Sequence, residues 1–308
     1  MMMRGAVALA IWAALPVMTP IAQTAAPPTA APGVATGASL QDDVARADDV
    51  VVTARRAHER RRAVRRQVDA VTDRVRDDTP LARFQAPVCI ATAGLPPAVG
   101  SAILDRMIAI AEEAGIATAG ERCTPNIFVL FADAGDAEIA ALVKRDHPLL
   151  SHLSGDDLRA LRRQPGPARS WGATEVLSRD GDKLLQLDPL QPPQLTIAAS
   201  SRIVSPIRLD IVGAVVMIDR AAVVGRSVDQ IAGYAAMRSF ARTRPPRAAS
   251  GSVPIDTILS LFDAAPAPPG LTPFDRIYLR TLYQGAANSF PGRKQSRIST
   301  AITHDDMP

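Results

Sequence analysis

Aromatic residues make up only 4% of this 308-residue chain. Stacking platforms for bases or sugar rings are correspondingly few, and a nucleic-acid partner is not expected. Lysine is nearly missing, present at Lys144, Lys183 and Lys294 alone, so the net charge of +4 rests on arginine. An Ala-, Arg- and Pro-heavy composition of this kind is what a GC-rich genome produces, and it does not by itself call for an anionic partner. Histidine occurs at His58, His147, His152 and His304. No pair has HExxH spacing, His147 and His152 flank Pro148, and His58 and His304 lie in the two tails. The three or four convergent ligands of a zinc site are therefore not expected. No GxSxG elbow, SxxK motif or phosphate-cradling loop occurs; Gly225-Arg226-Ser227 runs on into Val228-Asp229. The acidic neighbours Glu112-Glu113 and Asp156-Asp157 would point apart on a helix. No catalytic, cofactor-binding or metal-binding residue is assigned from the sequence, and no cofactor is expected. A Ser–His–Asp triad assembled from distant positions is the arrangement that spacing leaves open.

What is present begins with an export signal. Arg4 supplies a positive start, residues 5–17 are apolar apart from Pro16, and Ala22-Gln23-Thr24-Ala25 offers small residues for cleavage. The apolar stretch is shorter than the ~20 residues a membrane span needs. No cysteine follows it, which excludes a lipoprotein, and no later segment is long and apolar enough to cross a membrane. Residues 1–25 are thus predicted to be a signal peptide, and the protein to be periplasmic. Two cysteines in an exported chain, Cys89 and Cys123, predict one disulfide. Neither has a nearby His or CxxC spacing for a nucleophilic or metal-binding role. Closing a loop of this length contributes about 3–4 kcal/mol in the chain-entropy model.

The hydrophobic content of 47% suffices for a sizeable core. Residues 26–47 are predicted to be a disordered linker rich in Ala, Pro, Thr and Gly. Residues 48–83 combine a short β-branched run with a basic helix over 57–76. That helix has Val64, Val68, Val71 and Val75 on one stripe and Arg60, Arg61, Arg62, Arg65 and Arg66 mostly opposite. A globular region is expected over 84–288, followed by a flexible polar tail over 289–308. Within the globular region, strands are predicted at 87–92 (carrying Cys89), 126–132, 171–178, 183–187 and 207–218. Asp180-Gly181 forms a hairpin turn between the third and fourth of these. Asp180-Gly181-Asp182 lacks the other oxygens of a calcium loop. Helices are predicted at 97–114 (Val99, Ile103, Met107, Ile110 and Ala114 at helical spacing), 136–144, 155–163 behind a Ser154/Asp157 capping box, and 228–241 behind Ser227. The last begins at Thr272-Pro273-Phe274-Asp275, where a cap, a first-turn proline and an acid coincide. This order of elements predicts a single α+β (mixed α/β) domain.

Two stretches carry resemblances. Asp49-Val50-Val51-Val52-Thr53-Ala54-Arg55-Arg56 resembles the TonB box near the mature N-terminus of outer-membrane receptors. The resemblance implies TonB contact through Val50, Val51, Val52, Thr53 and Ala54 by strand addition. The rest of the chain lacks the repeating short strands of a receptor barrel. From residue 87 to about 283 the order of elements resembles a family of uncharacterised exported proteins from Gram-negative bacteria. Within it, Ile258-Leu259-Ser260-Leu261-Phe262, Gly270-Leu271-Thr272-Pro273-Phe274-Asp275-Arg276, Leu279 and Leu282-Tyr283 look like the C-terminal part of a zincin-like, metalloprotease-related family. That family places a His-containing or acidic active-site helix just before this block. The corresponding segment here, Gln230-Ile231-Ala232-Gly233-Tyr234-Ala235-Ala236-Met237-Arg238, has neither His nor Glu. The resemblance therefore implies a zincin-like arrangement without proteolysis.

The expectation is a non-catalytic periplasmic or envelope protein, a degenerate zincin-like domain used for binding. The alternatives are a hydrolase of unrecognised type or a TonB-linked envelope adaptor. Expected partners are TonB or another envelope protein, with an anionic lipid surface facing the basic helix.

Overall fold

The computed structural model describes residues 38–73, 78–185, 201, 204–246, 255–263 and 266–305, with side chains from residue 55 onward. The signal segment 1–25, residues 26–37 of the linker, Val75 and residues 186–187 lie outside the described residues. The chain divides into two units, Met1–Val51 and Val52–Pro308. In chain order the elements are helix α1 (Ala38–Val71), strand β1 (Ile90–Ala93), helix α2 (Pro97–Glu113), strand β2 (Ile127–Ala132), helix α3 (Gly135–Lys144) and helix α4 (Gly155–Arg162). Strands β3 (Ala168–Ser178) and β4 (Ile207–Asp219) follow. Then come the one-turn α5 (Arg220–Val223), α6 (Val228–Phe240), α7 (Pro273–Tyr283) and α8 (Pro291–Asp305).

The four strands form one mixed sheet in the order β1-β2-β4-β3. β1, β2 and β4 are parallel and β3 runs antiparallel to β4 along its whole length. β1, α2 and β2 make a βαβ unit, the connection that parallel neighbours require. β2 alternates strictly. Ile127, Val129 and Phe131 face the larger core beneath α2 and α6, while Phe128, Leu130 and Ala132 face a smaller core beneath α3 and α4. β4 divides likewise, with Ala214, Val216 and Ile218 on one side and Val215 and Met217 on the other. A sheet covered on both faces needs continuous apolar strands, which is how residues 127–132 and 214–218 read. The domain is α+β, with helices in layers on both faces of the sheet.

Capping chemistry sets the helix starts. The Ser154/Asp157, Ser227/Gln230 and Thr272/Asp275 boxes are all closed reciprocally. α2 starts at Pro97 and ends before Gly115, whose φ of +74° supplies the left-handed turn. Asp275 does more than cap. Fully buried, it accepts from Thr257 Oγ1 at 2.6 Å, Ile258 N at 2.8 Å, and Thr272 N and Oγ1 at 2.9 Å each. It thereby pins the turn at Ile258–Ser260 to the start of α7. Burial pushes its carboxyl above the ordinary range, against these four donors.

Several expected boundaries change. The core does not start at residue 84: Val64, Val68 and Val71 of α1 are already buried in it. Thr72 Oγ1 meets Tyr278 Oη at 2.8 Å there. Residues 38–47, expected as linker, are helical. The TonB-box-like segment 49–56 also lies within α1, so adding it to a partner sheet would require unwinding. The first strand begins at Ile90, and Val88 bridges only Thr118. Val99 is exposed. The hairpin partner at 183–187 is represented, among described residues, by one bridge between Leu177 and Lys183. β4 takes the role of partner because its apolar run is long enough to pair with all of β3. The tail expected to be flexible from 289 contains α8, anchored by the buried Ile298 and Ile302 and by Lys294, whose Nζ donates to Gln284 O at 2.7 Å.

Candidate functional site

Residues 231–240 of α6 are buried without exception, as expected for a helix covered on all sides. One of those ten is Arg238, 4% exposed. Its Nη1 donates to Tyr234 Oη, one helical turn earlier, at 2.6 Å, and its Nη2 donates to Gln164 Oε1 at 2.8 Å. The guanidinium also lies 5.5 Å from the centre of the Tyr234 ring. Gln164 is itself fixed, since its Oε1 accepts from Ser170 N at 2.9 Å and its Nε2 donates to Ser170 O at 2.7 Å. These partners are neutral. Arg238 forms no ion pair with any described carboxylate, and its Nε is buried with no partner. An ionised group in the interior ordinarily costs several kcal/mol unless it is paired. Burial raises the Tyr234 phenol, with Arg238 acting in the opposite direction, so the phenol stays a neutral partner.

Arg238 forms part of the wall of a cavity of about 430 Å³, together with Asp73, Arg163, Gln164, Ser170, Trp171, Arg242 and Arg244. Ala160, Pro165, Ala214 and Pro245 make its apolar surfaces. The segment after α6 builds one side. Arg242 has φ +47°, a left-handed conformation that costs a β-carbon-bearing residue about 1 kcal/mol or more. Thr243 then pairs with Thr72 and donates through Oγ1 to Met237 O at 2.7 Å. Arg244 returns to the end of α1, N to Val71 O at 2.9 Å and Nε to Ala70 O at 2.8 Å. Arg242 makes a 3.4 Å contact with Asp73, the only carboxylate in the lining among the described residues. The Arg163 side chain has no hydrogen bond or ion pair among the described residues. Trp171 donates Nε1 to Leu149 O at 2.9 Å, which fixes the indole in the lining. Four guanidinium groups around apolar walls suit a carboxylate, phosphate or sulfate, whose geometry the guanidinium fork matches.

A second concavity, about 630 Å³, lies at the carboxyl ends of β1 and β2. The chain leaves β1 toward α2 on one face and leaves β2 toward α3 on the other, the arrangement that opens ligand crevices in α/β sheets. Here the polar groups are spent on each other. Arg220 grips Asp133 with both oxygens engaged, at 2.6 and 2.7 Å, and donates to Gly94 O at 3.1 Å. Gly135 N donates to Asp219 Oδ1 at 2.8 Å. Gly94, with φ +94°, is needed because a β-carbon there would lie 2.0 Å from Phe131 O.

The residues weighed from the sequence are dispersed. His147 lines the crevice, where its Nδ1 accepts from Leu149 N at 3.2 Å and caps the turn Pro148–Leu150. His152 is exposed overall, and partial desolvation of its ring lowers its pKa, with Arg242 adding to that. Glu113 pairs with Arg106, and Asp156 pairs with Arg159. Asp157 caps α4. Gly181 takes φ +102° in the turn read at Asp180-Gly181, and Asp182 accepts from Ser178 Oγ. Among the described residues no three His, Cys, Asp or Glu side chains gather into a metal-binding group. Cys89 and Cys123 are joined, with Cα atoms 6.0 Å apart, across the entries of β1 and β2. The side chains of Val50, Val51, Val52, Thr53 and Ala54 lie outside the described residues. Arg238 was not singled out from the sequence. The signal was available: one charge in an otherwise uncharged run from Ile231 to Ala241.

No protein-family model, curated protein or solved structure matches the chain. Fold and site define it as a disulfide-linked α+β domain with helices on both faces of a mixed sheet and an arginine-lined cavity beside its central helix.

Proposed function

We propose that this is an exported, non-catalytic protein of the periplasm or envelope, whose work is to bind a small anionic ligand in the arginine-lined cavity. The observation that carries the reading is Arg238: a cation held on the buried stretch of a helix by neutral acceptors, with no ion pair to a carboxylate among the described residues. An anion entering beside it would supply the missing charge. Arg163, Arg242 and Arg244 supply further donors at the same wall. The Cys89–Cys123 disulfide supports an oxidising compartment, in keeping with the signal segment. The TonB-linked and zincin-like readings rest on the sequence alone.

Trp171 provides the test. Trp12 lies in the signal segment, so Trp171 is the only tryptophan of the processed chain, and it lines the cavity. Titration with inorganic phosphate, sulfate, phosphate monoesters and mono- and dicarboxylates should give a saturable change in tryptophan fluorescence for at least one class. The same titration of Arg238→Met should give none. A flat response to the whole panel would remove the binding proposal. Chelator-sensitive cleavage of a peptide library would remove the non-catalytic one.

A further inference from the structure

The second half of α1 presents a charge distribution that the cavity does not use. Val64, Val68 and Val71 face the core. At 3.6 residues per turn, Arg55, Arg62 and Arg66 fall on the side directly opposite. All three are exposed, as are Arg56, Arg60, Arg61 and Arg65. Across residues 55–70 these seven arginines face only Glu59 and Asp69. That excess of five exceeds the +4 of the entire chain, and it belongs to the second half of the helix alone, since residues 38–54 carry four aspartates against one arginine. Ordinary solvated helices mix charges of both sign at i, i+4 spacing. Here Arg55, Arg56, Arg61, Arg62, Arg65 and Arg66 have no ion-pair partner among the described residues.

The helix is also held in place. Arg244 binds its last carbonyls, Gln67 Nε2 donates to Ile255 O at 3.4 Å, and Thr72 Oγ1 donates to Val68 O at 2.6 Å. The arginine face is therefore a fixed row. From Arg55 to Arg66 it extends about 17 Å.

We propose that this face docks the protein on an anionic phospholipid surface, its guanidinium groups pairing with headgroup phosphates. Nothing apolar larger than alanine stands among the exposed residues of 55–66, so the helix adsorbs and does not insert. An electrostatic contact of this kind gains about fivefold in partitioning per arginine near the surface and is screened by salt. The scarcity of aromatic side chains argues for lipid phosphates over single-stranded nucleic acid, which needs stacking platforms.

The test uses the full chain, purified unreduced, and vesicles of phosphatidylcholine with or without phosphatidylglycerol. Cosedimentation should occur with phosphatidylglycerol at low salt, vanish at high salt, and be missing with phosphatidylcholine alone. The triple variant Arg55→Gln, Arg62→Gln, Arg66→Gln should partition about a hundredfold more weakly. Arg238→Met should sediment like the wild type, which separates this face from the cavity. Far-ultraviolet circular dichroism and the thermal midpoint of the triple variant should be unchanged, because its side chains touch nothing in the core. Equal sedimentation of triple variant and wild type would overturn the proposal. So would no binding to phosphatidylglycerol at low salt, or tighter binding to a DNA duplex than to the vesicles.

Discussion

The cavity beside α6 and the crevice at the strand ends both contain arginine, and they use it in opposite ways. In the crevice at the strand ends, Arg220 is neutralised by Asp133 through two short hydrogen bonds, and His147 and Asp219 are spent on backbone amides. In the cavity beside α6, Arg238 is held only by a phenol and an amide, and the described lining holds one carboxylate, Asp73, which contacts Arg242. Topology favours the crevice, because parallel strands that send their chains to opposite faces open a natural ligand position. Charge balance favours the cavity. A satisfied ion pair has little left to offer a ligand, whereas an uncompensated buried cation already bears the desolvation cost that an incoming anion would offset. Compensation, more than location, separates the arginine that holds the structure from the arginine that is available to bind.

The largest expected effect tests whether the two regions are mechanically separate. The disulfide ties the entries of β1 and β2, and β1 is an edge strand paired over four residues only. The cavity is built from α4, β3, one residue of β4, α6 and the segments that follow α1 and α6, and it includes no residue of β1 or β2. Replacing both Cys89 and Cys123 by Ser should lower the free energy of unfolding by about 4 kcal/mol, the loop-closure value for this separation. Urea unfolding measures it. Anion affinity read from Trp171, at temperatures where the variant remains folded, should change less than twofold. A parallel loss of affinity would mean that the cavity depends on the β1 side of the sheet, and the comparison would fail.

Next comes the premise that an uncompensated buried cation is costly. Lys294 is 3% exposed, has no carboxylate partner among the described residues, and lies outside both concavities. Burial brings its pKa down to about 8, with Arg83 and Arg297 adding to the depression. The unfolded chain then holds this proton more tightly than the folded one. Stability should fall as pH drops from about 10.5 to 8, and the whole penalty, about 3 kcal/mol at most, is present below that window. The urea midpoint of the wild type should therefore rise between pH 8 and about 9.5, and Lys294→Met should flatten that rise. An unchanged slope in the variant would show that the buried ammonium is not the source.

Arg238→Met applies the same reasoning inside the cavity. It removes a charge with no counter-ion and keeps the volume, so the thermal midpoint should stay level or rise. Affinity for the best anion of the panel should fall at least tenfold, about 1.4 kcal/mol. A lower midpoint with unchanged affinity would make Arg238 a structural residue and reverse the comparison.

Much of this architecture is legible in the sequence because its signals are local. The apolar run at 126–132, the long strand from 207, the Ser154, Ser227 and Thr272 caps and the cysteine pair each carry their meaning within a few residues. What escapes is set by distant contacts. α8 is polar along most of its length, and only Ile298 and Ile302, one turn apart, reveal that it docks. The pairing of β3 with β4 spans a connection of nearly thirty residues, and the Asp180-Gly181 turn points toward a nearer partner. The cavity is harder still. Asp73, Arg163, Trp171 and Arg238 come from four separate segments, and no spacing rule unites them. The one local clue is a charge inside a helix otherwise buried on every side.

The smallest effect is expected at Arg220, and it bears most directly on where the ligand sits. Its pair with Asp133 is well formed but exposed, with side chains 43% and 84% accessible. Solvent screening limits such a pair to about 0.5 kcal/mol. Arg220→Met should thus shift the urea midpoint only slightly and leave the Trp171 titration unchanged. Because Met217 and Leu130 form the wall beneath it, the methionine side chain has apolar surface to rest on and need not collapse the crevice. If Arg220→Met instead abolished anion binding while Arg238→Met preserved it, the ligand would sit at the strand ends. Topology would then outrank charge compensation, since the ligand would have to displace the Asp133 carboxylate from a bidentate pair to bind there.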